Sequence, residues 1–184
     1  MIKIAIHQPN FIPNFGFFYK MAMVDKFVLL RHVQFEKNNY QNRYYLNTKD
    51  KWVTKSVSHG IVNISDKQYA DGRQLSYTNY LWIRAIKETL GIDTEIVFDY
   101  PTELRGTARI IDLVKHYGGD VYVTSESAKD KYLDESAILR ERIGIEYCKV
   151  PQNLQKHTFE IFEEFGIDGA IKQLPKRQLC ESLS

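Results

Sequence analysis

The chain has 184 residues, 43% of them hydrophobic, enough for one domain with a sizeable core. Its 25 basic and 23 acidic residues leave a formal net charge of +2 and are spread over both halves, so there is neither a basic nucleic-acid arm nor an acidic tail. No apolar run approaches the roughly 20 residues of a membrane-spanning helix, MIKIAIHQPN is too short and polar for a signal peptide, and Cys148 and Cys180 stand outside any CxxC spacing. A single cytoplasmic domain over residues 1–184 is expected, with no disulfide framework and no metal site.

Residues 2–7 (IKIAIH) read as a short buried strand ended by Pro9 and Asn10, and 16–24 (GFFYKMAMV) as a helix starting after Pro13, Asn14 and Gly16. A second apolar strand follows at 27–35 (FVLLRHVQF). Such a strand, loop, helix and strand favour parallel pairing. From about 40 to 64 the pattern becomes that of an inserted hairpin with its turn at Lys49-Asp50-Lys51. Tyrosines concentrate between 40 and 80, which suits a half-exposed sheet; a wet pocket, an interface or a stacking surface is the alternative. Residues 65–75 carry loop chemistry, and 78–90 (TNYLWIRAIKETL) return to helical spacing with Gly91 as a C-cap.

The second half alternates: a strand at 94–99, a helix at 107–117, a strand at 120–124, a helix at 127–143 with Ser127 and Asp130 as an approximate capping box, a strand at 145–150 and a helix at 155–173. The expected fold is α/β, a mainly parallel sheet flanked by helices on both faces, with the inserted hairpin.

In such sheets ligands bind at the carboxyl ends of strands. The loop after the first strand, HQPNFIPNFG, is the most informative: His7 can serve as a general base or neutral donor, Gln8 and Asn10 as polar contacts, two prolines stiffen the turn, and Gly16 at a helix start suits an anion. The alternative is that His7 and Asn10 only bond the loop backbone. After the second strand, Arg43 can clamp a carboxylate or phosphate while Gln34 and Asn42 orient a sugar or amide, unless this is an ordinary solvated turn. The third loop offers Ser125, Ser127 and Lys129 to a phosphate, or a simple helix cap. His32, His59 and His157 lack partners at metal-ligand spacing. Cys148 reads as an inert core thiol, and Lys115 and His116 as helix-end cations. No Walker A loop, GxGxxG, HExxH or GxSxG occurs, which argues against a P-loop kinase, a typical NAD enzyme, a zincin or an esterase.

At IAIHQPNFIPNFGFFYKMAMVDKFVLLRHVQF and YQNRYYLN, with His7, Gln8, Pro9, Pro13, Gly16 and Lys20, the sequence resembles the WbqC-like family, whose genes lie in bacterial clusters for O-antigen and related surface polysaccharides. Similarity continues through GTARIIDLVKHYGGDVYVTSESAKDKYLDESAILRERIGIEY, so that it covers about two thirds of the chain. Three departures stand out. Arg31 and His32 replace acidic residues before Val-Gln-Phe, Glu126 replaces a glycine, and the C-terminal tract is shortened.

The resemblance implies a transferase of polysaccharide precursor assembly, moving a glycyl or other acyl group onto the amine of a nucleotide-linked amino sugar. His7 would be the base, the junction at Gly16 would hold phosphate, Lys20 would belong to the substrate site, and ATP would be needed if an amino acid is activated. A homo-oligomer or a biosynthetic partner enzyme fits that setting. The plan also looks like a nucleotidyltransferase, although Phe17 stands where that mechanism wants a second histidine. A non-catalytic protein binding a sugar nucleotide, or docking a partner through its Tyr-rich hairpin, is the remaining alternative.

Overall fold

The computed structural model describes residues 1–60, 62–129 and 133–176. Five short strands pair in parallel: β1 (Lys3–His7), β2 (Lys26–Leu29), β5 (Glu95–Phe98), β6 (Val121–Ser125) and β7 (Gly144–Cys148), in the order β5-β2-β1-β6-β7. Ala5 of β1 stands opposite Phe27 on one side and Val123 on the other. The strand order reverses at β1, whose carboxyl end therefore opens into the crevice where such sheets receive ligands. The antiparallel pair β3 (Arg43–Leu46) and β4 (Lys51–Thr54) forms a separate hairpin whose turn contains Asp50 in the left-handed region, φ 46°.

The helices are α1 (Phe15–Ala22), α2 (Leu75–Thr89), α3 (Gly106–His116), α4 (Glu135–Arg140) and α5 (Thr158–Gln173). Because strand side chains alternate between faces, Ile4 and Ile6 of β1 pack with Ile110 and Leu113 of α3 and Ile138 of α4. Ala5 turns the other way, into a core of Phe18 and Met21 from α1, Ile83 from α2 and Ile161 from α5. Helices thus cover both faces, as an α/β fold requires. Among the described residues no helix is long and apolar enough to cross a membrane.

The structure corrects the bounds of five of the expected elements. The second strand stops at Leu29 instead of continuing to Phe35, because the Asp99 carboxylate accepts the Arg31 N–H at 2.7 Å and the His32 N–H at 3.2 Å, taking those donors out of the ladder. Val33 and Phe35 then pair with Ile64 and Val62, so the regular hairpin covers 43–54 rather than 40–64. The helix expected at 127–143 is a 3-10 turn, Glu126–Ala128, followed by α4. Asp134, not Ser127, caps α4, its carboxylate accepting from Ala137 N–H at 3.0 Å; Asp130 lies outside the described residues. The long C-terminal helix begins at Thr158 rather than 155, capped by His157 and Glu160, and bends at Gly166. The helix expected at 78–90 starts three residues earlier, and Gly91 follows it at φ 62°, as a glycine terminator should.

Glu160, 4% exposed, ties the hairpin to α5 by accepting Thr48 N–H at 2.6 Å and Asn47 Nδ2 at 2.9 Å. Burial pushes its pKa up, but these hydrogen bonds outweigh that and hold it down at about 2. Its stabilisation is therefore present above the ordinary carboxylate range and lost as pH falls toward about 2. Glu160→Gln is expected to cost about 1–3 kcal/mol in urea unfolding at pH 7, with the gap to the parent narrowing at pH 3; an equal gap at both pH values would remove the ionised form from this account.

Candidate functional site

The site begins at the turn after β1. Pro9, Phe11, Ile12 and Pro13 are buried, and the backbone of the turn is held from the α2 side. Asn79, fully buried in α2, donates through Nδ2 to Pro9 O at 2.8 Å and to Gln41 O at 2.7 Å. Gln41 in turn donates through Nε2 to the Gln8 side-chain carbonyl at 2.6 Å, and its own side-chain Oε1 accepts Glu36 N–H at 2.9 Å. Phe11 N–H reaches Tyr40 O at 2.8 Å. A second fastening comes from α5, where His157 Nε2 lies 3.0 Å from Ile12 O and Thr158 donates to Pro13 O at 2.7 Å.

His7 closes β1 with its ring edge-on to Phe17, centroids 4.9 Å apart. Its Nδ1 sits 2.9 Å from Gln8 O. A carbonyl can only accept, so Nδ1 carries the proton and Nε2 keeps its lone pair. Burial, aided by the charge of Lys20 and opposed by the Gln8 bond, lowers its pKa to about 3, leaving the ring neutral over the physiological range.

A cleft of about 1130 Å³ runs along this carboxyl edge of the sheet. Its floor includes Ile6, Ile110 and Leu113, and its walls carry six side-chain amides: Gln8, Asn10, Asn14, Gln34, Asn39 and Asn63. One end is the start of α3, with Arg105, Gly106 and Arg109. Arg109 is 5% exposed and pairs through Nη2 with Asp99, whose side chain is fully buried and also accepts His32 Nδ1 at 3.0 Å. Nη2 additionally reaches Tyr100 O at 3.2 Å, whereas Nε and Nη1 have no hydrogen-bond partner. Asp66 is the one carboxylate on the lining among the described residues. No group of three or more His, Cys, Asp or Glu that could hold a metal is found among them.

Of the residues expected to form the site, His7, Gln8, Asn10 and Gln34 meet at this cleft. The others are engaged elsewhere. Gly16 is the second residue of α1, packed against Val150, while Asn14 is the cap, accepting Phe17 N–H at 3.3 Å. Lys20 is partly buried behind His7; burial, opposed by the charge of Cys148, brings its pKa down to about 8. Asn42 donates to Lys55 O at 2.8 Å, and Arg43 bonds Asn38 O while lying 4.0 Å over the Trp52 ring. Ser125 bonds Ser127 at 2.9 Å, and Lys129 pairs with Glu135 at 3.2 Å. Cys148 is buried, which raises its thiol pKa.

Sequence reasoning passed over Asn14, His32, Asn39, Asn63, Asp66 and the α3 residues. One signal for the last was present: LRGTAR opens a helix after a strand with a glycine, and with Arg105 rather than Ser, Thr, Asp or Asn at the cap position.

A family model described as the WbqC-like protein family matches residues 8–71 and 60–164, segments that contain the amide wall and the α3 arginines. An uncharacterized Mycobacterium tuberculosis protein, Rv1507c, is 25% identical over 178 residues, covering 73% of this chain and 77% of that protein. No solved structure matches the chain.

The neutral, half-buried His7 has a consequence for acid stability. With a folded pKa of about 3, below the ordinary histidine value of 6.5, it leaves the unfolded chain to take up the proton first. Its stabilising effect is complete above pH 6.5 and lost as pH falls toward about 3. Urea titrations between pH 7 and 4 are expected to show a loss on the order of a few kcal/mol, with a shallower slope in His7→Gln; an unchanged slope would mean that His7 protonates freely in the folded state.

Proposed function

We propose that this chain, which belongs to the WbqC-like protein family, is a transferase of surface-polysaccharide precursor assembly that moves an acyl or aminoacyl group onto the amine of a nucleotide-linked amino sugar. The observation that carries this reading is the amide wall. Six Asn and Gln residues line one cleft, and an amide carries both donors and an acceptor, the pairing that sugar hydroxyls demand. The carbonyls of Gln8 and Asn14 and both groups of Asn39 are already bonded within the protein, which leaves Asn10, Gln34 and Asn63 as the main contacts. The cleft volume of about 1130 Å³ suits a nucleotide-linked sugar better than a lone monosaccharide or amino acid. Its position at the carboxyl end of β1, where strand order reverses, is the usual place for such ligands.

In this reaction the sugar amine attacks the acyl carbonyl. The new C–N bond forms, the bond to the leaving group breaks, and the amine proton departs with that group. The depressed pKa of His7 makes it a weak base in the resting protein, so the part assigned to it is to orient the amine through the lone pair on Nε2. Asp66, the carboxylate on the lining, fits a protonated amine in the arriving substrate. Where the acyl group is a free amino acid, its activation consumes ATP.

A thermal-shift screen tests the reading. At a hundred times its dissociation constant a nucleotide-linked amino sugar is expected to stabilise the protein by about 2.7 kcal/mol, or about 5–10 °C in melting temperature for a chain of this size. Gln34→Ala and Asn63→Ala, both at exposed positions on the wall, are expected to weaken that shift while leaving the free protein's melting temperature within a degree or two. Absence of a shift with any nucleotide sugar, together with no acylated product by mass spectrometry, would overturn it.

A further inference from the structure

The proposed acyl transfer must carry a proton from the attacking amine to the leaving group, a task for which His7 is too weak a base. A second histidine stands on the same cleft. His32 lines it from the segment leaving β2, where residues 31–35 run beside 62–65. Phe35 N–H meets Val62 O at 3.0 Å, while Ile64 N–H meets Val33 O and Ser65 N–H meets Arg31 O, both at 2.9 Å. Side chains alternate along such an extended pair. Val33 and Phe35 pack against the core, whereas His32 and Gln34 turn to the cleft with Asn63 opposite Gln34.

The His32 ring is held by one edge. Its Nδ1 lies 3.0 Å from Oδ1 of Asp99, a carboxylate that is fully buried and off the cleft lining. A carboxylate paired with a guanidinium is an acceptor, so Nδ1 carries the proton and Nε2 the lone pair. The His32 side chain is 22% exposed, and Nε2 has no hydrogen-bond partner among the described residues. Arg109 already balances the charge of Asp99, and the Arg31 and His32 N–H groups fill further acceptor positions. Asp99 therefore does not need the ring for its own neutralisation; what the bond fixes is the tautomer and the direction of Nε2. A base whose far nitrogen is oriented by a buried carboxylate is the arrangement that activates nucleophiles in many hydrolases. Gln34, Asn63 and Asp66, the groups assigned to the sugar and its amine, share the lining with it.

We infer that His32 is the general base of the cleft, its Nε2 taking the proton that the amine sheds on attack, with Asp99 as the positioning residue behind it. This assignment rests on the acyl-transfer reading and adds the proton carrier. As the C–N bond forms from the amine lone pair, the bond from the acyl carbon to the leaving group breaks, and its electron pair stays with that group. The N–H proton passes to Nε2 and from there to the leaving group, so the ring ends as it began.

Acyl transfer from p-nitrophenyl acetate to glucosamine by the full chain, read as nitrophenolate release and N-acetylated product, tests it. His32→Gln is expected to lower kcat about a hundredfold with KM for glucosamine little changed, while His59→Gln, off the lining, is without effect. No protein-dependent transfer by the parent, transfer indifferent to His32→Gln, or a loss confined to KM overturns the assignment. Nitrogen-15 spectra of the histidine-labelled chain at about pH 8, above the ordinary histidine range, test the geometry, with His32→Gln identifying the signal. His32 is expected to carry its proton on Nδ1 and to lose that preference in Asp99→Asn; a proton on Nε2 in the parent overturns the assignment as well. Circular dichroism checks that each variant is folded, and should Asp99→Asn not fold, the parent spectrum and His32→Gln decide. Transfer through His32 in a chain whose melting temperature no nucleotide sugar shifts would leave the base standing without the nucleotide-sugar reading. A nucleotide-sugar shift with transfer indifferent to His32→Gln would do the reverse.

Discussion

One buried carboxylate organises the cleft edge of this protein. Asp99, just beyond β5, accepts the Arg31 and His32 backbone N–H groups, the His32 ring and the Arg109 guanidinium. Each bond has a structural consequence. Capturing two N–H groups of the chain leaving β2 ends that strand at Leu29 and turns the next residues away from the sheet to pair with 62–64. Holding Arg109 sets the start of α3 against the same edge. A buried charge is tolerable only with its donors in place, so the strand end, the cleft wall and the helix start are coupled through one side chain.

The turn after β1 is fixed by a different economy. Its apolar residues are buried, which forces its carbonyls to find donors inside the protein. Asn79 supplies two from α2, while His157 and Thr158 meet Ile12 and Pro13 from α5. Tyr44 of the hairpin stacks on His157 with ring centroids 4.3 Å apart, and Glu160 binds the hairpin turn to the same helix end. The inserted hairpin is thus part of the brace behind the cleft.

Two histidines show how position decides chemistry. His157 is a cap and brace whose pKa is lowered by burial, and sequence spacing offered no hint of either job. His7 stands where a catalytic histidine is expected, yet burial and the nearby charge of Lys20 keep it neutral despite its bond to Gln8. In the resting fold it is a neutral ring with its lone pair on Nε2. The free sequence suggested a base because a histidine in water titrates near neutrality, and the desolvation that changes this comes from residues remote in the chain.

What the sequence determined by itself is what depends on local pattern. Hydrophobic alternation and periodicity located the five parallel strands and most helices, the β-branched run before Pro9 marked β1, and the polar turn His7-Gln8-Pro9-Asn10 pointed to the edge where the cleft lies. Tertiary structure decided everything that rests on a partner distant in sequence. Asp99 cut the second strand short although its apolar run continues to Phe35, Asp134 moved a helix start by competing for the cap, and Trp52 claimed the guanidinium of Arg43. The amide wall gathers residues from 8 to 63, and its arginine end lies beyond residue 100. No periodicity encodes such a meeting, because it follows from strand order and from which buried donors and acceptors can satisfy one another.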